Sequence, residues 1–280
     1  MNGIRRKLMA GSAALLGLGL SGWGRAQSRS FQLGVAPHTS ARVIIEMYQP
    51  LRLALEKALG QPVEVQTAPD FNEFARRALA QEYDLAVTTG HQARLMQSDA
   101  SYLPLLTYKA DFKAVALVAR DGAIRQPRDL KGRIALGLSP SSLVTLWGQH
   151  WLRQNGINDV VVRYVSAADS TAQLVLADEG AVAFHSLANF QGLAPEIQAR
   201  LRILAESEPM AGRVYLLNRR EAQRRERIEA TLWNFAASAE GQQHFDRHKL
   251  EGYRKLKPRE LEMMEPFAAE VRQILRQDGK

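Results

Sequence analysis

The sequence contains no cysteine among its 280 residues. This absence excludes disulfide bonds, cysteine-ligated metal sites and thiol nucleophiles, and it also removes the cysteine that would carry a lipid anchor. Long apolar runs are equally scarce. Past the first 26 residues, no stretch approaches the roughly 18 consecutive apolar residues of a membrane-spanning helix. We therefore expect a mature chain that is free in its compartment.

Acidic residues are missing from the first 26 positions, which have the pattern of an export signal. Residues 5–7 are Arg-Arg-Lys, the 17-residue stretch Leu8–Gly24 is apolar and glycine-rich, and small residues stand just before a cleavage point after Ala26. The paired arginines resemble a twin-arginine signal, although general export signals also contain such pairs. A retained membrane anchor is the alternative. We expect a periplasmic protein with residues 1–26 as a cleavable signal peptide.

The chain also lacks a strong excess of positive charge. Its formal net charge is +8, but four of the 37 basic residues lie in the first 26, which leaves 33 basic against 29 acidic residues, a net charge of +4. This excess is too small to indicate nucleic-acid binding, and aromatic residues do not alternate with the basic ones. A mild positive charge suits a small anionic ligand.

Strand-like and helix-like segments alternate along the chain, which predicts an α/β fold. Helices are expected to end at Leu59 before Gly60, to begin at Phe71 after the capping residue Asp70, and to begin after Gln92. Strands are expected at 31–36, 63–67, 84–88, 102–107, 113–119, 133–137, 160–165, 181–184, 201–205 and 213–218. The strand–helix order restarts near residue 113, and the segment near residue 205 returns the chain towards the first group of strands and helices. We therefore expect two lobes joined by two crossings.

Polar side chains cluster where these strands end. Ligands of open parallel sheets bind beyond the carboxyl ends of the strands, so these side chains are candidate ligand contacts. They are His38, Thr39, Thr89, His91, Ser170 and His185. A protonated His91 would favour an anion, and Arg94 lies one turn further on with a guanidinium that suits paired oxygens. Tyr48 lies in a helix that would line the same cleft, and its spacing also fits a core position.

A serine-rich turn at Gly137–Thr145 connects one apolar strand to a helix. The first turn of a helix leaves its backbone N–H groups without internal partners and adds a partial positive charge. Ser139, Ser141 and Ser142 can cap these N–H groups or, together with Thr145, help them to bind an anion. Both roles remain open at this point.

Four stretches of the mature chain together resemble the phosphate/phosphite/phosphonate-type substrate-binding proteins of ABC transporters. They are Tyr48–Val63, Glu82–Gly90, Asp129–Ser142 and Glu206–Pro209. The resemblance implies an α/β fold of the Venus-flytrap type, in which each of two lobes is a mostly parallel sheet flanked by helices. It implies that residues 27–113 and 206–280 form lobe 1 and that residues 114–205 form lobe 2.

In this family a Ser-Thr-Ser run at the start of a lobe-2 helix holds the oxygen atoms of the ligand. Ser141 and Ser142 match the first two members of that run, Leu143 replaces the third, and Thr145 is nearby. Val144 stands where the family has a glycine after that run. The chain departs from the family pattern at three further positions. They are His91, where the family has a small-residue–proline junction, Arg94, where it has an aromatic residue, and Ala168, where it has a histidine before Ser170.

The resemblance implies that the protein captures a small anion of the phosphate, phosphite or phosphonate type and delivers it to an inner-membrane ABC permease. A periplasmic partner of a sensor kinase and a small periplasmic hydrolase that uses His91 or His185 are the alternatives. We expect a monomer that is not an enzyme, with no cofactor and no nucleic-acid partner. Two histidines, His38 and His91, without a spaced partner motif do not make a metal site.

Overall fold

The computed structural model describes residues 29–165 and 168–278. The eleven strands in these ranges are β1 (Phe31–Val35), β2 (Val63–Gln66), β3 (Leu85–Thr89), β4 (Leu103–Tyr108), β5 (Ala114–Ala119), β6 (Ile134–Gly137), β7 (Val161–Tyr164), β8 (Val182–Ser186), β9 (Leu201–Glu206), β10 (Arg213–Leu217) and β11 (Tyr253–Arg254). The ten α-helices in the same ranges are α1 (Ala41–Leu59), α2 (Phe71–Leu79), α3 (Gly90–Asp99), α4 (Leu143–Gln154), α5 (Ala168–Leu176), α6 (Leu187–Gln191), α7 (Pro195–Arg200), α8 (Arg225–Ala237), α9 (Ala239–His248) and α10 (Glu265–Gln277).

The strands form two sheets, and each sheet with its helices makes one lobe. Lobe 1 contains a six-stranded sheet in the order β11-β4-β10-β3-β1-β2, and lobe 2 contains a five-stranded sheet in the order β7-β6-β8-β5-β9. The expected two-lobed α/β architecture is confirmed. Both sheets are mixed, because β1, β2 and β3 pair in parallel, as do β6, β7 and β8, whereas β4, β5, β9, β10 and β11 pair antiparallel.

Two short segments carry the chain between the lobes. The first crossing segment is 109–113 and the second is 207–212, and they pair with each other through the backbone at Phe112 and Met210. The N–H of Met210 donates to the carbonyl oxygen of Phe112 at 2.8 Å. The strands next to these segments, β4, β5, β9 and β10, run antiparallel to their neighbours because the chain leaves and re-enters each sheet at the same end.

The capping signals in the sequence set the ends of several helices. Ser40 accepts from the N–H of Val43 at the start of α1, and Gly60 ends this helix in the left-handed conformation with φ 67°. Asp70 caps α2 as predicted, by accepting from Glu73. The prediction that a helix begins after Gln92 was three residues late, because α3 begins at Gly90 directly after β3.

Alternation along β10 divides the core of lobe 1 between the two faces of the sheet. Tyr215 and Leu217 pack with α1, α8 and α9 on one face, whereas Val214 and Leu216 pack with α3 and α10 on the other. The last helix, α10, contacts both α3 of lobe 1 and α4 of lobe 2. It therefore braces the two lobes against each other.

The expected signal peptide lies outside the described residues. In residues 29–165 and 168–278, no helix combines the length and apolar character required to span a membrane.

Candidate functional site

The serine turn of residues 138–142 is held in place by Thr145. The N–H of Leu138 donates to the Thr145 hydroxyl oxygen at 2.9 Å, and the Ser142 hydroxyl donates to the same oxygen at 2.8 Å. Ser142 occupies the N-cap position of α4 with an extended backbone, but its side chain makes no capping hydrogen bond. Thr145 therefore closes the turn, and the first N–H groups of α4 keep no side-chain cap.

Two further hydroxyls of this turn are buried without a partner. The Oγ atoms of Ser139 and Ser141 make no hydrogen bond to any described residue, and Ser141 is fully buried. A buried hydroxyl without a hydrogen bond costs free energy. The turn thus combines unpaired hydroxyl donors with the uncapped, electropositive end of a 12-residue helix.

His91 connects lobe 1 to this turn. Its Nε2–H donates to the carbonyl oxygen of Ser141 at 2.9 Å, and the Thr89 hydroxyl donates to its Nδ1 at 3.1 Å. Burial lowers the pKa of His91 to about 4, against the smaller opposing effect of the Ser141 carbonyl. The imidazole is therefore neutral at neutral pH, which corrects the expectation that a protonated His91 attracts the ligand.

Arg94 is engaged elsewhere. Its Nε lies 2.5 Å from Glu265 of α10, and its Nη1 donates to Gln97 at 3.2 Å. The guanidinium is therefore neutralised by a carboxylate and fixed to the neighbouring helix. We do not retain Arg94 among the ligand contacts.

The remaining predicted residues fall into buried and exposed groups. His38 and Tyr48 are near each other in lobe 1, with ring centroids 6.5 Å apart. His185 is fully buried at the end of β8, where its Nδ1 lies 3.2 Å from the carbonyl oxygen of Ser186. Thr39 and Ser170 are exposed.

A basic group that was not predicted from the sequence lies next to His38 and Tyr48. Arg213, His244 and His248 come from β10 and α9. Burial is the main cause that lowers the pKa values of His38, His244 and His248, and the positive charge of Arg213 lowers them further. The sequence contains only one indication of this basic group, which is the arginine at the start of the apolar strand 213–217. Within the part of the chain that the structure describes, no three histidine or acidic side chains are placed to hold a metal ion.

A family model described as the periplasmic phosphonate substrate-binding protein of ABC transporters matches residues 33–261. Comparison with curated proteins finds no match. Among solved structures, XAC2383 from Xanthomonas citri bound to chloride superimposes with a TM-score of 0.77 at 20% identity, covering 89% of this chain and 99% of that one.

Two further solved structures extend the comparison. PhnD1 from Prochlorococcus marinus in complex with methylphosphonate gives a TM-score of 0.75 at 13% identity over 87% of this chain and 98% of that one. The periplasmic aliphatic sulphonate binding protein SsuA from Escherichia coli gives a TM-score of 0.59 at 16% identity, covering 89% of this chain and 82% of that one. At these identities the structures establish the shared fold, that of the periplasmic binding proteins.

Proposed function

The chain belongs to the phosphonate family of periplasmic substrate-binding proteins of ABC transporters, and from this premise we propose that it captures a small oxyanion at the serine turn. Phosphate, phosphite and phosphonates are the candidate ligands. PhnD1 was solved with methylphosphonate and SsuA binds aliphatic sulphonates, so a sulfonate is the natural comparison ligand.

One observation carries this proposal. Ser139 and Ser141 hold buried hydroxyls without partners at the uncapped N-terminus of α4, and both features favour a bound anion. The oxygen atoms of a phosphonate would accept from these hydroxyls and from the first N–H groups of the helix. The ligand would then satisfy donors that the described residues leave unpaired.

Capture would proceed by closure of the lobes. We take lobe 1 as residues 27–113 and 206–280 and lobe 2 as residues 114–205, with bending at the two crossing segments. Closure brings His91 of lobe 1 against the Ser141 carbonyl of lobe 2. This excludes water from the serine turn and strengthens the hydrogen bonds to the anion.

The partner that fits this role is an inner-membrane ABC permease, reached after export directed by residues 1–26. The family match supports transport, and it gives no support to a sensor kinase partner or to a hydrolase. The side chains at the serine turn bind rather than react, because no residue that the structure describes places a base within hydrogen-bond distance of the Ser141 hydroxyl.

The proposal is tested with the full mature chain. Native mass spectrometry of protein from periplasmic extracts would identify any ligand that co-purifies. Phosphate, phosphite, methylphosphonate, sulfate and methanesulfonate are then compared by thermal melting and small-angle X-ray scattering. A specific ligand at a hundredfold excess over Kd stabilises the fold by about 2.7 kcal/mol and compacts the protein. If none of these five anions changes the melting temperature or the radius of gyration, the proposed function is wrong.

A further inference from the structure

A group of cationic and imidazole side chains lies in lobe 1, at the end of the sheet that faces the serine turn. Arg213 is the first residue of β10 and pairs directly with Thr89, the last residue of β3. Directly opposed residues of antiparallel strands share one face of the sheet. Thr89 bonds to His91, which bonds to Ser141, so Arg213 begins next to the chain of contacts that leads to lobe 2.

Among residues 29–165 and 168–278, no carboxylate pairs with the guanidinium of Arg213. Its Nη1 is buried and makes no hydrogen bond to any described residue. None of the ion pairs found between described residues includes it, although 15 other basic side chains are paired with acids. Arg213 is only half-buried, but a buried guanidinium nitrogen without a hydrogen-bond partner is unfavourable. An anion from outside the chain would remove this cost.

Two imidazoles with unsatisfied nitrogens stand beside Arg213. His38 donates from Nδ1 to the carbonyl oxygen of Ala36 at 2.8 Å, which leaves its Nε2 buried without a partner, and the Nε2 of His244 is buried in the same way. Both rings pack against Tyr48, with centroid distances of 6.5 Å for His38 and 6.2 Å for His244. The group formed by Arg213, His38 and His244 therefore contains three buried side-chain nitrogens that make no hydrogen bond to a described residue.

No tyrosinate can serve as the missing negative charge. The hydroxyls of Tyr48, Tyr108, Tyr215 and Tyr253 form a chain with oxygen–oxygen distances of 3.3, 2.7 and 2.8 Å. Burial raises the pKa values of Tyr108 and Tyr215 well above the usual range, so these hydroxyls stay neutral. This row of tyrosine hydroxyls can donate and accept hydrogen bonds, but it supplies no negative charge.

We propose that Arg213, with His38 and His244, forms the lobe-1 half of the ligand site and neutralises a doubly charged oxyanion of the phosphate or phosphonate type. This inference rests on the proposed function and names the charge of the ligand. The planar guanidinium fork of Arg213 matches two oxygens of such an anion. One neutral Nε2 can accept from the single protonated oxygen of HPO4²⁻, whereas the phosphonate dianion has no such proton, so an Nε2 atom contacts its third oxygen only as a donor after the imidazole is protonated.

The test measures binding of inorganic phosphate, methylphosphonate and methanesulfonate by isothermal titration calorimetry. The variants are Arg213→Gln, Arg213→Lys and the control Arg227→Gln, which removes the same charge from an exposed position of α8. Arg213→Gln should weaken binding of phosphate and methylphosphonate by about 10- to 100-fold, with a smaller loss for the singly charged methanesulfonate. Arg213→Lys should keep part of the affinity, because lysine supplies charge without the fork.

The results separate this inference from the proposed function. Equal affinity of the parent and Arg213→Gln for every probe would overturn the lobe-1 site while leaving the serine turn in place. If Arg213→Gln does not fold, the Arg213→Lys variant decides. An affinity for phosphate and methylphosphonate equal to that of the parent would then overturn the lobe-1 site. Loss of affinity in Arg213→Gln but not in Ser141→Ala would support the lobe-1 site and contradict the serine turn. A parent that binds none of the three probes would overturn both.

Discussion

The Nε2 of His91 lies 2.9 Å from the carbonyl oxygen of Ser141, and this hydrogen bond joins lobe 1 to the turn that precedes α4 in lobe 2. The contact uses a neutral imidazole, because burial lowers the pKa of His91 to about 4. The Ser141 carbonyl oxygen can only accept, which places the proton on Nε2, and the Thr89 hydroxyl then donates to Nδ1. His91 thus favours the closed arrangement without adding charge to the site.

Replacing His91 by alanine should shift the protein towards more open arrangements. The lost hydrogen bond is worth about 0.5–1.5 kcal/mol, so the affinity for the ligand should fall by roughly 2- to 13-fold. Small-angle scattering of the ligand-free variant should give a larger radius of gyration than that of the parent. An unchanged radius and an unchanged affinity would show that this contact does not control closure.

Acid should destabilise the protein through its buried histidines. Burial lowers the pKa values of His91 and His244 in the folded state to about 4, whereas the unperturbed value is 6.5. As the pH falls below about 6.5, the unfolded chain binds protons first, so the free energy of unfolding decreases until the pH reaches about 4.

The His91→Gln variant isolates the contribution of one of these histidines. Urea denaturation at about pH 7 and pH 5 should show a smaller loss of stability for the variant than for the parent, since glutamine does not titrate. The carboxylates are common to both proteins, and their contribution cancels in this comparison. Equal losses in both proteins would mean that His91 keeps an ordinary pKa in the folded state.

Gly90 should not tolerate a side chain. A Cβ at this position would lie 2.6 Å from the Cβ and 2.7 Å from the carbonyl oxygen of Ala211 in the second crossing segment. Gly90→Ala should therefore cost about 1–3 kcal/mol of stability, because the start of α3 or the crossing segment must move. Gly192→Ala is the matched control, since its nearest atoms would lie 3.5 Å away. Urea denaturation that finds equal stability for the two variants would contradict this packing.

Sequence patterns predicted the elements whose signals are local. The helix α1 follows from its regularly spaced apolar residues and from Gly60, and strand β10 follows from the apolar run Val214–Leu217. The serine turn and its position at a strand end were also predicted. These features depend on neighbours within a few residues, which a single sequence displays.

The properties of individual site residues depend on distant parts of the chain. Arg94 is paired with Glu265, which is 171 residues away. The low pKa of His91 arises from its complete burial, and no local pattern encodes that burial. Arg213 gains its histidine neighbours only because α9 and the turn after β1 pack against one face of the lobe-1 sheet.

The two serines of the turn should respond differently to removal of their hydroxyls. The Ser142 hydroxyl already donates to Thr145, so Ser142→Ala should cost about 1 kcal/mol of stability and leave the affinity for the ligand nearly unchanged. Ser141 has no partner, so Ser141→Ala should leave the ligand-free stability unchanged or slightly raised. Thermal melting of both variants without ligand checks this contrast.

Calorimetric titration of Ser141→Ala with the tightest oxyanion found for the parent tests the central claim most directly. A hydrogen bond to a charged ligand is worth about 1.5–3 kcal/mol, so the variant should bind at least tenfold more weakly than the parent and than Ser142→Ala. An affinity equal to that of the parent would contradict the assignment of the serine turn as the anion site.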